Sequence, residues 1–214
     1  MRFTATSAVA TALLGTASAH TRVFSAWVND VDQGDGRTTY IRSPPNNNPV
    51  KDLTSPDLAC NVAGGTAMPD FDNGADAIWT KIDEEGLTGT TWAVDNLIAN
   101  KGKKDFKIPS DIKAGKYMIR QEIIGLHEAD TTYDVNPARG AQFYPSCVQF
   151  DISGDGTSVP SDNFNFNEGY TYQDPGIHFN LYGGSTDYTM PGPAMDAQLT
   201  GVAQKRKMRF ENRS

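Results

Sequence analysis

Arg120-Gln121-Glu122-Ile123-Ile124-Gly125-Leu126-His127, thirteen connecting residues, then Ala141-Gln142-Phe143-Tyr144-Pro145-Ser146-Cys147: the reading of this stretch decides the fold. Extended back to Lys116, the first run places Tyr117, Ile119, Gln121, Ile123, Gly125 and His127 on one face of a strand. Met118, Arg120, Glu122, Ile124 and Leu126 fall on the other. Gln142 to Ile152 is the expected partner strand. Together the two runs carry three polar side chains, His127, Gln142 and Tyr144, that can converge on one site.

Working outward, the chain offers several shorter β-prone runs. Thr21–Val28 packs through Val23, Phe24 and Trp27; Thr38–Arg42, Ala75–Ile82 around Trp79, and Asp105–Pro109 follow. Ile177–Tyr182 alternates, with Ile177, Phe179 and Leu181 apolar. Thr90–Asn100 suits a strand or a short helix. Between these lie Asn29–Arg37, rich in Asp, Asn and Gly, the proline-bearing loop Ser43–Pro49, and an irregular Lys51–Asn61. Many short strands between turn signals, without sustained helical periodicity, predict an all-β fold, an antiparallel β-sandwich with long loops. Beyond Pro191-Gly192-Pro193 apolar periodicity fades into Lys205-Arg206-Lys207, so 194–214 is expected to be a mobile tail.

Residues 1–19 have the form of a secretory signal: Arg2, an apolar run Ala8–Leu14, and Ala17-Ser18-Ala19 as a small-residue cleavage pattern. Cleavage there leaves 214 less 19, or 195, residues beginning at His20. A free α-amino group beside an imidazole is a chelate, because the amine and Nδ1 of one residue can bind a single metal. Nitrogen donors in tetragonal geometry favour Cu(II).

A chain of this length fits one domain, residues 20–193, and a secreted, extracellular monomer is expected. The net charge of −7 becomes −8 without Arg2, which argues against nucleic acid and anionic membranes as partners. Cys60 and Cys147 are the only cysteines, and in an oxidising compartment a disulfide is the default.

The ordered blocks go further. A signal ending before His20, Tyr40-Ile41-Arg42, Pro49-Val50, Cys60-Asn61, Gly115–His127, Gly140–Cys147, Asp174-Pro175-Gly176-Ile177 and Pro191-Gly192-Pro193 resemble the fungal cellulose-active lytic polysaccharide monooxygenases. That family is auxiliary activity family nine, formerly glycoside hydrolase family sixty-one. The resemblance implies an immunoglobulin-like or fibronectin-like sandwich with one copper ion on a flat face. Its ligands would be the amine and Nδ1 of His20 and the axial oxygen of Tyr144. His127 and Gln142 would be catalytic groups that hydrogen-bond the dioxygen species, and Cys60 would pair with Cys147. The implied partners are a cellulose or other β-glucan surface, an external electron donor, and O₂ or H₂O₂. Tyr188 is a candidate contact to that surface, with a buried, loop-packing tyrosine as the equal alternative. His178, on the polar side of its run, is expected to be structural.

One block departs from the family pattern. A second copper histidine normally stands between the Cys-Asn block and the tryptophan strand, yet no histidine occurs here between His20 and His127. A segment of roughly twenty to thirty residues, with a core strand of ordinary length, is expected to be absent near Met68–Asp72. Such a loss would open a sheet edge or leave a hole. Gln121, where the family usually has histidine, is a lesser departure. Three other accounts therefore stand beside the oxidative enzyme. One is a non-catalytic copper- or glucan-binding descendant, and another a gene model that has lost an exon. The third is a glycosidase using Glu84, Glu85 or Glu122, which needs two carboxylates at roughly 5–9 Å.

Overall fold

The computed structural model describes residues 20–61, 71, 74–109, 111–160, 164–196 and 205–213, without the side chains of 205–207. Its centre is the pair anticipated from the sequence. β7 (Gly115–Gly125) and β8 (Gln142–Ile152) run antiparallel in unbroken register, from Gly115 opposite Ile152 to Gly125 opposite Gln142. On the far side of β8 lies the two-residue β3 (Ile41–Arg42), which completes a three-stranded sheet.

A second, four-stranded sheet has the order β2-β1-β9-β6, formed by β2 (Val31–Asp35), β1 (Arg22–Val28), β9 (Lys205–Arg213) and β6 (Lys103–Pro109). Every strand pair is antiparallel. The sheets face one another across Val23, Ala26, Phe106, Ile108, Val148, Ile152, Met208 and Phe210, all buried. That shared interior makes the molecule a β-sandwich. Alternation divides β8 between two neighbours: Val148 and Ile152 point into the sandwich, while Phe143 and Cys147 point to the other side. There loops and two short helices, α1 (Asp57–Cys60) and α3 (Phe166–Gly169), cover the sheet. Covered on both faces, β8 is buried along nearly its whole length.

Four expectations need correction. Residues 205–213 are a central strand, flanked by β1 and β6, where a mobile tail was expected. Met208, Phe210 and Asn212 alternate inward, while Arg209 pairs outward with Asp105, so a polar-looking segment still has one core face. Ile177–Tyr182 is not a strand: the Ile177 and His178 amides turn back onto Asp174 O, and its alternation reflects one-sided packing of Ile177. Ala75–Ile82 keeps only an isolated bridge from Trp79 to Phe164. The Asn29–Arg37 loop is instead a hairpin: Asn29 and Asp30, at φ +50° and +65°, turn the chain from β1 into the exposed edge strand β2.

Thr90–Asn100 realises both of its options. A hairpin of β4 (Leu87–Thr88) and β5 (Thr91–Trp92) leads into helix α2 (Ala93–Ala99), and the Asp95 carboxylate accepts from the Trp92 amide at 2.9 Å. The interval Met68–Asp72 lies, apart from Phe71, outside the described residues. Nearby, the edge of β7 away from β8 pairs with no described strand. A cavity of about 390 Å³ runs beside it.

Candidate metal centre

The site is assembled by the crossing of β1 and β8. The Val23 amide donates to Ser146 Oγ at 3.3 Å, fixing the start of β1 against the inner face of β8. Three residues earlier His20 is exposed, its ring edge-on to Tyr144 with centroids 5.7 Å apart and planes at 74°. Tyr144 is itself buried. Burial pushes its phenol up to about 12, and the negative charge of Glu128 adds to the shift. The hydroxyl therefore stays neutral at physiological pH, able to donate a proton to one partner and present a lone pair to another.

That first partner is Gln142, two residues back on the same face. Its Oε1 accepts from Tyr144 Oη at 2.7 Å. Its Nε2 donates to Glu128 Oε2 at 2.9 Å and faces His127 Nε2 at 3.1 Å. Turned the other way, the amide oxygen would confront the Glu128 carboxylate, so the orientation is determined by its neighbours. His127 Nε2 accepts and its proton stands on Nδ1. The structure thus brings His20, His127, Gln142 and Tyr144 together. It adds Glu128, which the sequence reading passed over; its only signal there is adjacency to His127 at the end of β7.

The connection after β7 is held in shape by its own bonds. The Gly140 amide donates to Glu128 O, and Arg139 pairs with Asp130. Gly140 sits at φ +112° against Tyr133, a position that suits glycine. His178 lies apart from the site. Its Nε2–H donates to Asp130 O at 3.2 Å, joining the loop after Asp174 to this connection. Tyr188 is turned inward: its hydroxyl donates to Gly176 O at 2.8 Å and its ring stands edge-on to Trp92 and Phe179. On the same loop Tyr182 is 78% exposed.

Among the described residues no three His, Cys, Asp or Glu side chains come together as a metal cluster. The sequence holds three histidines, and His127 and His178 are engaged as described. The groups at this site that could hold a metal are the His20 ring and the Tyr144 oxygen beside it. Histidine nitrogen beside a neutral phenol oxygen is a donor combination that copper(II) could take.

The carboxylates of the glycosidase reading are engaged elsewhere. Glu84 pairs with Lys81, Glu85 with Lys104, and Glu122 with Arg120 while accepting from Tyr170 Oη. Cys60 and Cys147 form a disulfide, Cα–Cα 5.3 Å, that ties α1 to the middle of β8. Beside it Arg120 donates to the carbonyls of Leu58 and Ala59.

The fold is an antiparallel β-sandwich with a histidine and a buried tyrosine meeting at one end of β8. The family model of Auxiliary Activity family 9 (formerly GH61) matches residues 66–189. An AA9 family lytic polysaccharide monooxygenase A of Collariella virescens is 47% identical, with 94% of this chain and 90% of that protein covered. One from Schizophyllum commune is 43% identical, covering 89% and 95%. Among solved structures, CvAA9A superposes with a TM-score of 0.81 at 46% identity, covering 84% of this chain and 99% of that one. The chain belongs to Auxiliary Activity family 9.

The alignments with these relatives carry gaps on this chain's side. The Collariella alignment spans 246 positions, yet 94% of 214 residues is about 201, so about 45 positions face no residue of this chain. For the Schizophyllum protein, 235 positions against about 190 residues again leave about 45.

Proposed function

We propose that the chain, processed after Ala19 and exported from the cell, is a copper-dependent oxidoreductase that cleaves cellulose or a related β-1,4-glucan. The observation that carries the reading is the edge-on meeting of His20 with Tyr144, whose hydroxyl is held by Gln142. One copper ion would be held by the amine and ring of His20 together with the Tyr144 oxygen. Bound there, copper supplies the one-electron chemistry with O₂ or H₂O₂ that a glycosidic C–H bond requires. With O₂, an external donor provides two electrons; a C–H becomes C–OH, two protons are taken up, and water leaves.

The chain's own residues support this in distinct ways. Gln142 is clamped by three partners, so its amide presents fixed dipoles to anything bound near Tyr144. His127 and Glu128 lie one hydrogen bond behind it, where they can hold or return a proton. The buried Tyr144 excludes water from one side of the site. The substrate would lie across the surface that exposes His20; with Tyr188 committed inward, the exposed Tyr182 is the aromatic candidate for contact with it. An exposed, rigidly based tyrosine ring suits the apolar face of a sugar.

The decisive assay is the mature chain with copper, a reductant and cellulose, read by mass spectrometry. Oxidised oligosaccharides that disappear on His20→Ala and fall about 100-fold or more on Gln142→Leu establish the reading. A second reading has its own observation, a site whose histidine nitrogens come from one residue. It describes a non-catalytic protein that binds copper weakly or a glucan surface. Saturable cellulose binding without oxidised products, at full copper loading, selects it. Sequencing the transcript across Met68–Asp72 tests the account of a lost exon: an additional histidine-bearing segment there restores the complete enzyme.

A further inference from the structure

We propose that Glu128 is a positioning residue: its carboxylate sets the direction of each hydrogen bond from His127 through Gln142 to Tyr144. It thereby decides which atom Tyr144 offers to a metal at His20, a role that rests on the copper reading above and deepens it.

Gln142 is buried, so its amide must find partners within the protein. On one side stand Glu128 Oε2 at 2.9 Å and His127 Nε2 at 3.1 Å, and on the other Tyr144 Oη at 2.7 Å. Two of these groups are ambivalent. A hydroxyl donates or accepts, and a neutral imidazole carries its proton on either nitrogen. An ionised carboxylate only accepts. Glu128 alone therefore fixes the direction, and its backbone is held in place by the Gly140 amide, which donates to Glu128 O at 3.1 Å. The carboxylate draws Nε2 of Gln142 to itself. The second hydrogen of that nitrogen then falls to His127 Nε2, which must be the bare ring nitrogen. Oε1 is left for Tyr144, which must donate. With its one proton committed, the phenol oxygen has only lone pairs for a partner at His20. Reversing the amide inverts every step: His127 donates from Nε2, Gln142 donates to Tyr144, and the phenol proton is released toward the side where a metal would bind.

Nuclear magnetic resonance of the mature chain, free of copper and with its histidine nitrogens isotopically labelled, reads the His127 tautomer directly. The unaltered chain is expected to carry the proton on Nδ1. Glu128→Gln should show both tautomers, because the amide placed there can accept or donate. The exchange Glu128→Gln/Gln142→Glu should move the proton to Nε2, since the only-accepting group then stands at position 142. A residue that merely supports the fold would leave the tautomer where it was. Calorimetry should show copper(II) binding about tenfold or more weaker in Glu128→Gln, at an unchanged unfolding midpoint. If Glu128→Gln does not fold, the unaltered chain and the exchange decide. An Nε2 proton in the unaltered chain overturns the proposal, as does an Nδ1 proton in all three chains or equal copper affinity. A chain that binds no copper at all fails the functional reading, whereas the tautomers judge Glu128 in either case.

Discussion

The amide of Val23 donates to the hydroxyl of Ser146 across the two sheets, and this bond sets where the front of the processed chain can reach. From there His20 is three residues back along β1 and Tyr144 two residues back along β8, which leaves their rings edge-on. A chelate whose first nitrogen is a chain terminus depends on the cut that frees it.

Copper binding should therefore require a free His20 amine. The chain processed after Ala19 is expected to bind Cu(II) with a nitrogen-rich paramagnetic resonance spectrum. One extra residue ahead of His20 should weaken binding by more than about 100-fold, beyond the range for losing a supporting partner of a metal ligand. Calorimetry on the two preparations decides; equal affinities would place the metal elsewhere.

Tyr144 gives a pH prediction. Its phenol is raised to about 12, chiefly by burial, so the folded protein holds this proton above the pH at which an unfolded chain releases it near 10. The stability linked to it is complete below about pH 10 and is lost as pH rises through about 12. Tyr144→Phe should flatten that alkaline decline without abolishing it, because burial also raises Tyr170 and Tyr188. Denaturant midpoints measured from pH 9 to 12 report the difference.

How far the sequence could be read depends on whether a residue's neighbours were local. The β7–β8 pair was legible because alternation persists over eleven residues in each strand, and tertiary context did not need to intervene. His127, Gln142 and Tyr144 follow from that register. Glu128 was not legible, since its partner Gln142 is fourteen residues away and a carboxylate beside a strand end is ordinarily solvated. The alternation of Ile177 and Phe179 misled because packing on one side gives the same period as a strand without any partner chain. β9 was hidden behind Lys205-Arg206-Lys207: among its described side chains only Met208 and Phe210 are apolar on the core face, beside the polar Asn212.

The disulfide should contribute substantially to stability. Cys60 and Cys147 are separated by 87 positions, and closing a loop of that size restricts the unfolded chain by about 4–5 kcal/mol on the entropy account. The double variant Cys60→Ala/Cys147→Ala is expected to lose up to that amount in guanidinium unfolding. It should keep the β7–β8 sheet, whose pairing does not depend on the bridge. Loss under about 1 kcal/mol would mean that the loop is already constrained in the unfolded ensemble.

Phe210 distinguishes a structural strand from a dispensable tail. Its ring is buried, packed against Phe106 at 4.7 Å between centroids and against Phe150 at 6.2 Å, so it touches both sheets from β9. Truncation to alanine removes those contacts and leaves a cavity next to the one already present, where no neighbour is positioned to collapse. Phe210→Ala is expected to cost about 3–5 kcal/mol, at the upper end for this substitution. Deleting residues 205–214 should go further, because β1 and β6 would lose the only described strand that joins them. Cooperative unfolding should vanish in that deletion. If the deletion melts like the full chain, the four-stranded sheet does not form through β9 and the site loses the support of β1.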